Sequence, residues 1–152
     1  MKIYLSEKNL TNTEFTHVTN IINLDNTVEN TEAKEIVIDN FLRSFKQDEI
    51  EEALKKILSK LRIGATVTIL DVDVDVISMK FSRGDMTLEE LNSSLFSFSL
   101  NSLVNIEFIT GIISKFVEIT DVSLDQNNAN FIIKGKRSKW LKLAAKVVFF
   151  QR

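Results

Sequence analysis

Three stretches decide the fold: Glu35-Ile36-Val37-Ile38-Asp39, then Asp48 to Leu61 (DEIEEALKKILSKL), then Thr66 to Val72 (TVTILDV). The first is short, apolar and β-branched, which suits a buried strand. In the second, Ile50, Ala53, Leu54, Ile57, Leu58 and Leu61 recur at helical spacing and make one apolar face. Its acids, Asp48, Glu49, Glu51 and Glu52, come early, and Lys55, Lys56, Lys60 and Arg62 come late, as the helix dipole favours. Gly64 stands where a left-handed residue would stop that helix. The third stretch is again β-branched. Strand, helix and strand within about 40 residues leave no room for anything but a crossover, hence a parallel sheet.

Outward from this unit, Lys2 to Leu5 and Val18 to Leu24 are further strand candidates, parallel to the first two. Thr87-Leu88-Glu89-Glu90 fits a capping box before a helix carrying Leu88, Leu91 and Leu95, and Leu103 to Ser114 fits another amphipathic helix. Lys115 to Leu124 and Ala129 to Lys136 are strands joined by Asp125-Gln126-Asn127-Asn128, whose residue types favour a tight turn and so an antiparallel hairpin. The phenylalanines at 81, 96, 98, 108 and 116 are expected to fill the core over the sheet. The expected architecture is a three-layer α/β fold, mostly parallel, with this hairpin at one edge of the sheet.

Composition narrows the chemistry. The 152 residues suit one domain that buries roughly two-thirds of its unfolded surface. With no cysteine, disulfides, thiolate metal sites and cysteine nucleophiles are excluded, and with His17 as the sole histidine no histidine triad or zinc cluster can be built within one chain. The start is too soon charged for a signal peptide, and no apolar run approaches the roughly 18 residues of a membrane span, so an intracellular, cytoplasmic protein is expected. Charge is polarised: Lys134 to Arg152 carries +7 with no acid, while the preceding residues carry −9.

Strands and helices in this order, closed by an antiparallel hairpin, resemble class I S-adenosylmethionine-dependent methyltransferases, particularly their small glycan-cluster members. Lys34 to Phe45 (KEIVIDNFLRSF) resembles that family's fourth strand and exit, "DEIYASHVLEHF", and Ala53 to Thr68 (ALKKILSKLRIGATVT) resembles its "LKEIYRVLKPGGKLVI". Phe116 to Lys136 is similar to its closing hairpin, and Met1 to Ser6 to its first strand, "MKLNLGCG". The resemblance spans about residues 1–137 and is strongest from 34 to 72. It implies a Rossmann-like methyltransferase fold, with Ser6, Asp39 and Asn40 at the cofactor-binding positions and no catalytic residue assigned.

The departures bear on function. The glycine-rich turn of the family, where backbone must closely approach the cofactor, is Leu5-Ser6-Glu7-Lys8-Asn9, with no glycine before Gly64. No acid is placed for the ribose hydroxyls: Glu14 comes too early, and Asp25 aligns with the end of a third strand. Asn40, Arg43 and Ser44 stand where the fourth-strand exit usually has histidine and glutamate. The expectation is a degenerate, non-catalytic domain, a pseudoenzyme with no cofactor, used for interaction or structure. The alternatives are an active enzyme using S-adenosylmethionine on a sugar or small metabolite, and a scaffold subunit of a larger assembly such as a phage particle.

Two further features point elsewhere. Asp71, Asp73 and Asp75 alternate, so an extended chain would put their carboxylates on one face; oxygen ligation of a divalent cation is weighed there against a solvated strand edge. Residues 138–152 form a basic, apolar tail with nine apolar side chains between Trp140 and Phe150, a patch large enough to drive association if exposed. The tail is expected to serve a homo-oligomer or a protein partner, on the ground that the family's core is complete at the hairpin. Nucleic acid is disfavoured by the acidic remainder of the chain.

Overall fold

The computed structural model describes residues 1–8, 11, 14–97 and 99–138. Six strands form one sheet: β1 (Lys2–Leu5), β2 (Thr16–Val18), β3 (Ala33–Asp39), β4 (Leu61–Val72), β5 (Glu118–Asp125) and β6 (Asn130–Lys136), in the order β2-β1-β3-β4-β6-β5. The first four strands run parallel, and β6 and β5 follow as an antiparallel pair at one edge. This is the mixed α/β, Rossmann-like methyltransferase arrangement.

The register separates two faces. Ile3, Ile36 and Val67 align across the sheet, as do Leu5, Ile38, Ile69 and Ile133, and all seven are fully buried. Against them pack Leu24 of α1 (Leu24–Thr27), Ile50, Leu54, Ile57 and Leu58 of α2 (Ile50–Leu58), and Ile109, Ile112 and Ile113 of α5 (Ile106–Ile113), in one continuous core. Each fully buried aliphatic side chain here contributes about 1.5–3 kcal/mol. The two remaining helices, α3 (Val74–Ser82) and α4 (Leu88–Phe96), make a separate apolar cluster of Val76, Ile77, Met86, Leu91 and Leu95 with Val72 and Ala129, at the carboxyl end of β4. The Thr87–Glu90 capping box is present at the start of α4.

Several local expectations are corrected. Val18 to Leu24 is not one strand: the Asn20 side chain accepts from Ile22 N at 3.0 Å and turns the chain into a 3-10 turn over Ile21–Asn23 that runs into α1, leaving Ile22 72% exposed. Gly64 does not end α2, which stops at Leu58 with Ser59 still in right-handed geometry. It lies inside β4 with φ +86°, where the pairing of β3 with β4 shifts register between Ala33 and Glu35. Its amide donates to the Arg137 carbonyl at 2.7 Å. Phe81 and Phe96 are exposed rather than core, Phe108 and Phe116 pack partly buried against the core, and Phe98 lies outside the described residues. So do the residues of the tail beyond Ser138.

Candidate functional site

From β1 the chain moves outward to β2 and then returns across β1 to β3, so the direction of winding reverses between β1 and β3. In open α/β sheets the crevice outside the carboxyl ends of such a strand pair is where ligands bind. The expected positions Ser6 and Asp39-Asn40 fall there, since Leu5 pairs with Ile38 and each strand ends immediately afterwards.

Ser6 is buried, its amide donates to the Val18 carbonyl at 3.3 Å, its hydroxyl oxygen accepts from Lys8 N at 3.1 Å, and its carbonyl accepts from His17 Nε2 at 3.1 Å. The turn after β1 is therefore held by a serine side chain and a histidine. Glu7 points to the loop after α4, where its Oε2 accepts from Ser99 N at 2.9 Å. Asp39 receives the Tyr4 hydroxyl at 2.6 Å and Asn40 Nδ2 at 2.8 Å. The Tyr4 hydroxyl is pushed up to about 12, by burial first and then by the Asp39 carboxylate that accepts its proton and repels its anion. Asn40 takes the left-handed conformation, φ +49°, that a short amide tolerates, and its amide donates to the Leu70 carbonyl at 2.8 Å.

Two charges not anticipated as a pair lie beneath this crevice. Arg43 is 2% exposed, with Nη1 donating to the Ser94 carbonyl of α4 at 2.9 Å and Nε 3.6 Å from Asp71 Oδ1. Burial pushes the Asp71 carboxyl up to about 7 against the pull of Arg43, and burial lowers the guanidinium against the opposing pull of Asp71, Glu7 and Asp39. The signal for this pair is in the sequence alternation: Val67, Ile69 and Asp71 share the buried face of β4.

The carboxylates of Asp71, Asp73 and Asp75 do not share one face, and β4 is an internal strand rather than an edge. Asp73 caps α3, with Oδ1 accepting from Asp75 N at 2.9 Å and Val76 N at 3.1 Å, while Oδ2 accepts from Ile106 N at 2.9 Å. The helix that begins there breaks the alternation. Asp75 accepts from Asn105 Nδ2 at 3.0 Å. Among the described residues no group of three or more His, Asp or Glu side chains is placed to hold a metal ion. Asp25 is engaged far from the crevice: Lys60 at 2.7 Å and Lys56 at 2.9 Å hold its carboxylate below the usual range, and the Lys60 carbonyl bonds Ala33 at the amino end of β3.

A groove of about 300 Å³ opens beside Asp39, on the sheet face away from α2 and α5. Its floor is the cross-strand row Asp39, Leu70, Ile132 and Ser123, and its wall includes Asn40, Asp125 and Asn130.

No family model matches the chain, and no curated protein matches it. Solved structures do. It is similar to a possible exported protein of Bordetella parapertussis at 8% identity, over 80% of this chain and 43% of that one, with a TM-score of 0.59. It is similar to magnesium protoporphyrin IX methyltransferase of Synechocystis PCC 6803, solved with bound S-adenosylhomocysteine, at 9% identity over 82% and 51%, with a TM-score of 0.54. It is similar to a SAM-dependent methyltransferase of Methanosarcina mazei at 14% identity over 82% and 66%, with a TM-score of 0.53. The chain spans less than two-thirds of the length of each. What it shares with them is the fold. No helix among the described residues is long and apolar enough to cross a membrane.

Proposed function

We propose that this methyltransferase-fold domain is a degenerate, non-catalytic member of that structural class, used for interaction or assembly rather than methyl transfer. The observation that carries this reading is the turn at Ser6. Where a nucleotide-type cofactor needs bare backbone after the first strand, a serine hydroxyl closes the turn on Lys8 N and a histidine ring occupies the Ser6 carbonyl. Glu7 adds a carboxylate beside the position for the cofactor's own carboxylate. The described residues after β2 offer no acid at the carboxyl end for a ribose, because Asp25 is committed to two lysines at the other end of the sheet. The residues therefore do not fit S-adenosylmethionine.

Calorimetric titration with S-adenosylmethionine and S-adenosylhomocysteine tests this directly. The expected result is no saturable heat at micromolar ligand. Micromolar binding abolished by Asp39→Ala would overturn this reading and favour the alternative, an active enzyme on a sugar or small metabolite. The groove beside Asp39 and Asn40 is the observation in favour of that alternative.

A further inference from the structure

The groove beside Asp39 runs across the sheet rather than along the gap between β1 and β3. Register lays Leu70 of β4 and Ile132 of β6 side by side on its floor, with Asp39 of β3 at one end and Ser123 of β5 at the other. Residues directly opposite in neighbouring strands project to the same side. Two residues further along β5, Asp125 stands opposite Asn130 and carries the far wall. A carboxylate therefore stands at each end of an apolar strip. Among the described residues no lysine, arginine or histidine lines this groove.

We propose that the groove binds a linear aliphatic polyamine, its methylenes over Leu70 and Ile132 and an ammonium group at each of Asp39 and Asp125. This goes beyond the non-catalytic reading and does not rest on it, because the amine is held and released unchanged.

Charge selects a cation. The Asn128 side chain, and then the Asn128 and Asn127 amides, hold the Asp125 carboxyl below the usual range, so it stays ionised. Asp39 accepts one bond on each oxygen, from Asn40 Nδ2 and from Tyr4, and a carboxylate has about four acceptor positions. Both ends keep room for a donor. The cations nearest to them are engaged outside the groove: Lys80 donates to the Asn127 carbonyl, and Arg43 is held by Asp71 and the Ser94 carbonyl.

Unmatched acceptors select a donor. Asn40 is fixed by its left-handed backbone, its amide on the Leu70 carbonyl and its Nδ2 on Asp39, and its Oδ1 is left buried with no hydrogen-bond partner. Asp71, 1% exposed, also lines the groove, and its Oδ2 has no hydrogen-bond partner either. An ammonium brings three donors and no acceptor. A phosphate or carboxylate would set acceptors against acceptors.

Length selects a polyamine over a short diamine. β3 and β5 are three strand spacings apart and Asp125 lies two residues beyond Ser123, which puts Asp39 and Asp125 about 16 Å apart. Charge-assisted contacts of about 2.8 Å at both ends leave about 10 Å between the two ammonium groups. The volume, about 300 Å³, lies at the small end of the range for ligand sites.

Calorimetric titration of the full chain with spermidine, at physiological ionic strength and without S-adenosylmethionine, tests the proposal. Saturable binding is expected, about tenfold or more weaker for ethylenediamine, which is too short to reach both ends, and absent for a neutral diol of spermidine's length. Ser123→Lys, at an exposed edge position, puts a competing ammonium into the groove and should abolish binding. Asp125→Asn should weaken it about tenfold, whereas Glu52→Gln on the exposed side of α2 removes the same charge and should leave it unchanged. Far-UV circular dichroism verifies the fold of each variant. Both groove variants leave the Ser6–His17 turn untouched, so their outcome is separate from that of the cofactor titration. No saturable heat with spermidine would overturn the proposal. So would equal weakening by Asp125→Asn and Glu52→Gln, which would mean general attraction to an acidic surface, or a diol that binds as tightly as spermidine, which would assign the groove to a polyol.

Discussion

The link between the ends of β1 and β3 can be read from a single chromophore, because Tyr4 is the only tyrosine in the chain. Its hydroxyl donates to Asp39 Oδ2 at 2.6 Å, and its ionisation is pushed up to about 12 from the ordinary value of 10. Two units correspond to about a hundredfold in the proton-release equilibrium, so at pH 11 about a tenth of Tyr4 should be ionised, against about nine-tenths for a free tyrosine. A spectrophotometric titration of tyrosinate absorbance, with circular dichroism confirming the fold at each pH, measures this fraction, and Tyr4→Phe supplies the blank. Asp39→Asn removes the charge that repels the phenolate and leaves burial acting alone, so the titration should move toward lower pH while staying above 10. The sign for stability follows: a raised tyrosine contributes stability that is complete below pH 10 and lost as pH rises through about 12. An ordinary titration near 10 in the unaltered protein, or no movement in Asp39→Asn, would refute the Tyr4–Asp39 link.

Leu54→Ala should cost about 2–5 kcal/mol in urea unfolding, because Leu54 is 0% exposed in the core between α2 and the sheet. Gly135→Ala should cost about 1–3 kcal/mol in the same assay, since a β-carbon there would meet Val117 Cγ2 at 2.7 Å and the Glu118 carbonyl at 3.3 Å. An unchanged unfolding midpoint in either variant would contradict the packing described at that position.

Much of the fold is legible in the sequence because its decisive elements obey simple periods. The β-branched runs at 35–39 and 66–72 and the apolar face of α2 leave one arrangement open, and β3, α2 and β4 adopt it. The misreadings fall where a single polar side chain overrides a pattern. Asn20 starts a turn inside an apolar run and converts the second half of a supposed strand to helix. Asp73 caps α3 and ends the alternation that makes Asp71, Asp73 and Asp75 look like neighbours on one face. Gly64 illustrates a different difficulty: glycine after a helix fits a helix stop and a left-handed strand irregularity equally well, and only the pairing partner distinguishes them.

The site was legible as positions but not as an electrostatic arrangement. Ser6, Asp39 and Asn40 follow from strand ends, whereas Arg43 and Asp71 are residue types expected at the surface and become a buried pair only through the register of β4. That arrangement bears on ligand binding. Glu7 is already engaged by Ser99 N, Asp39 by Tyr4 and Asn40, and Asp71 by Val72 N at 2.8 Å and by the Arg43 guanidinium. Asn40 Oδ1 and Asp71 Oδ2, by contrast, are buried without a hydrogen-bond partner, and each such group costs about 1–3 kcal/mol. An open nucleotide crevice presents unfilled backbone donors to its ligand; here the carboxylates at the carboxyl end are spent on the protein itself. The proposed absence of cofactor affinity therefore rests on the turn at Ser6, closed by its own hydroxyl and by His17 where the family has glycine, and the unpartnered oxygens of Asn40 and Asp71 are the groups a ligand in the groove would satisfy.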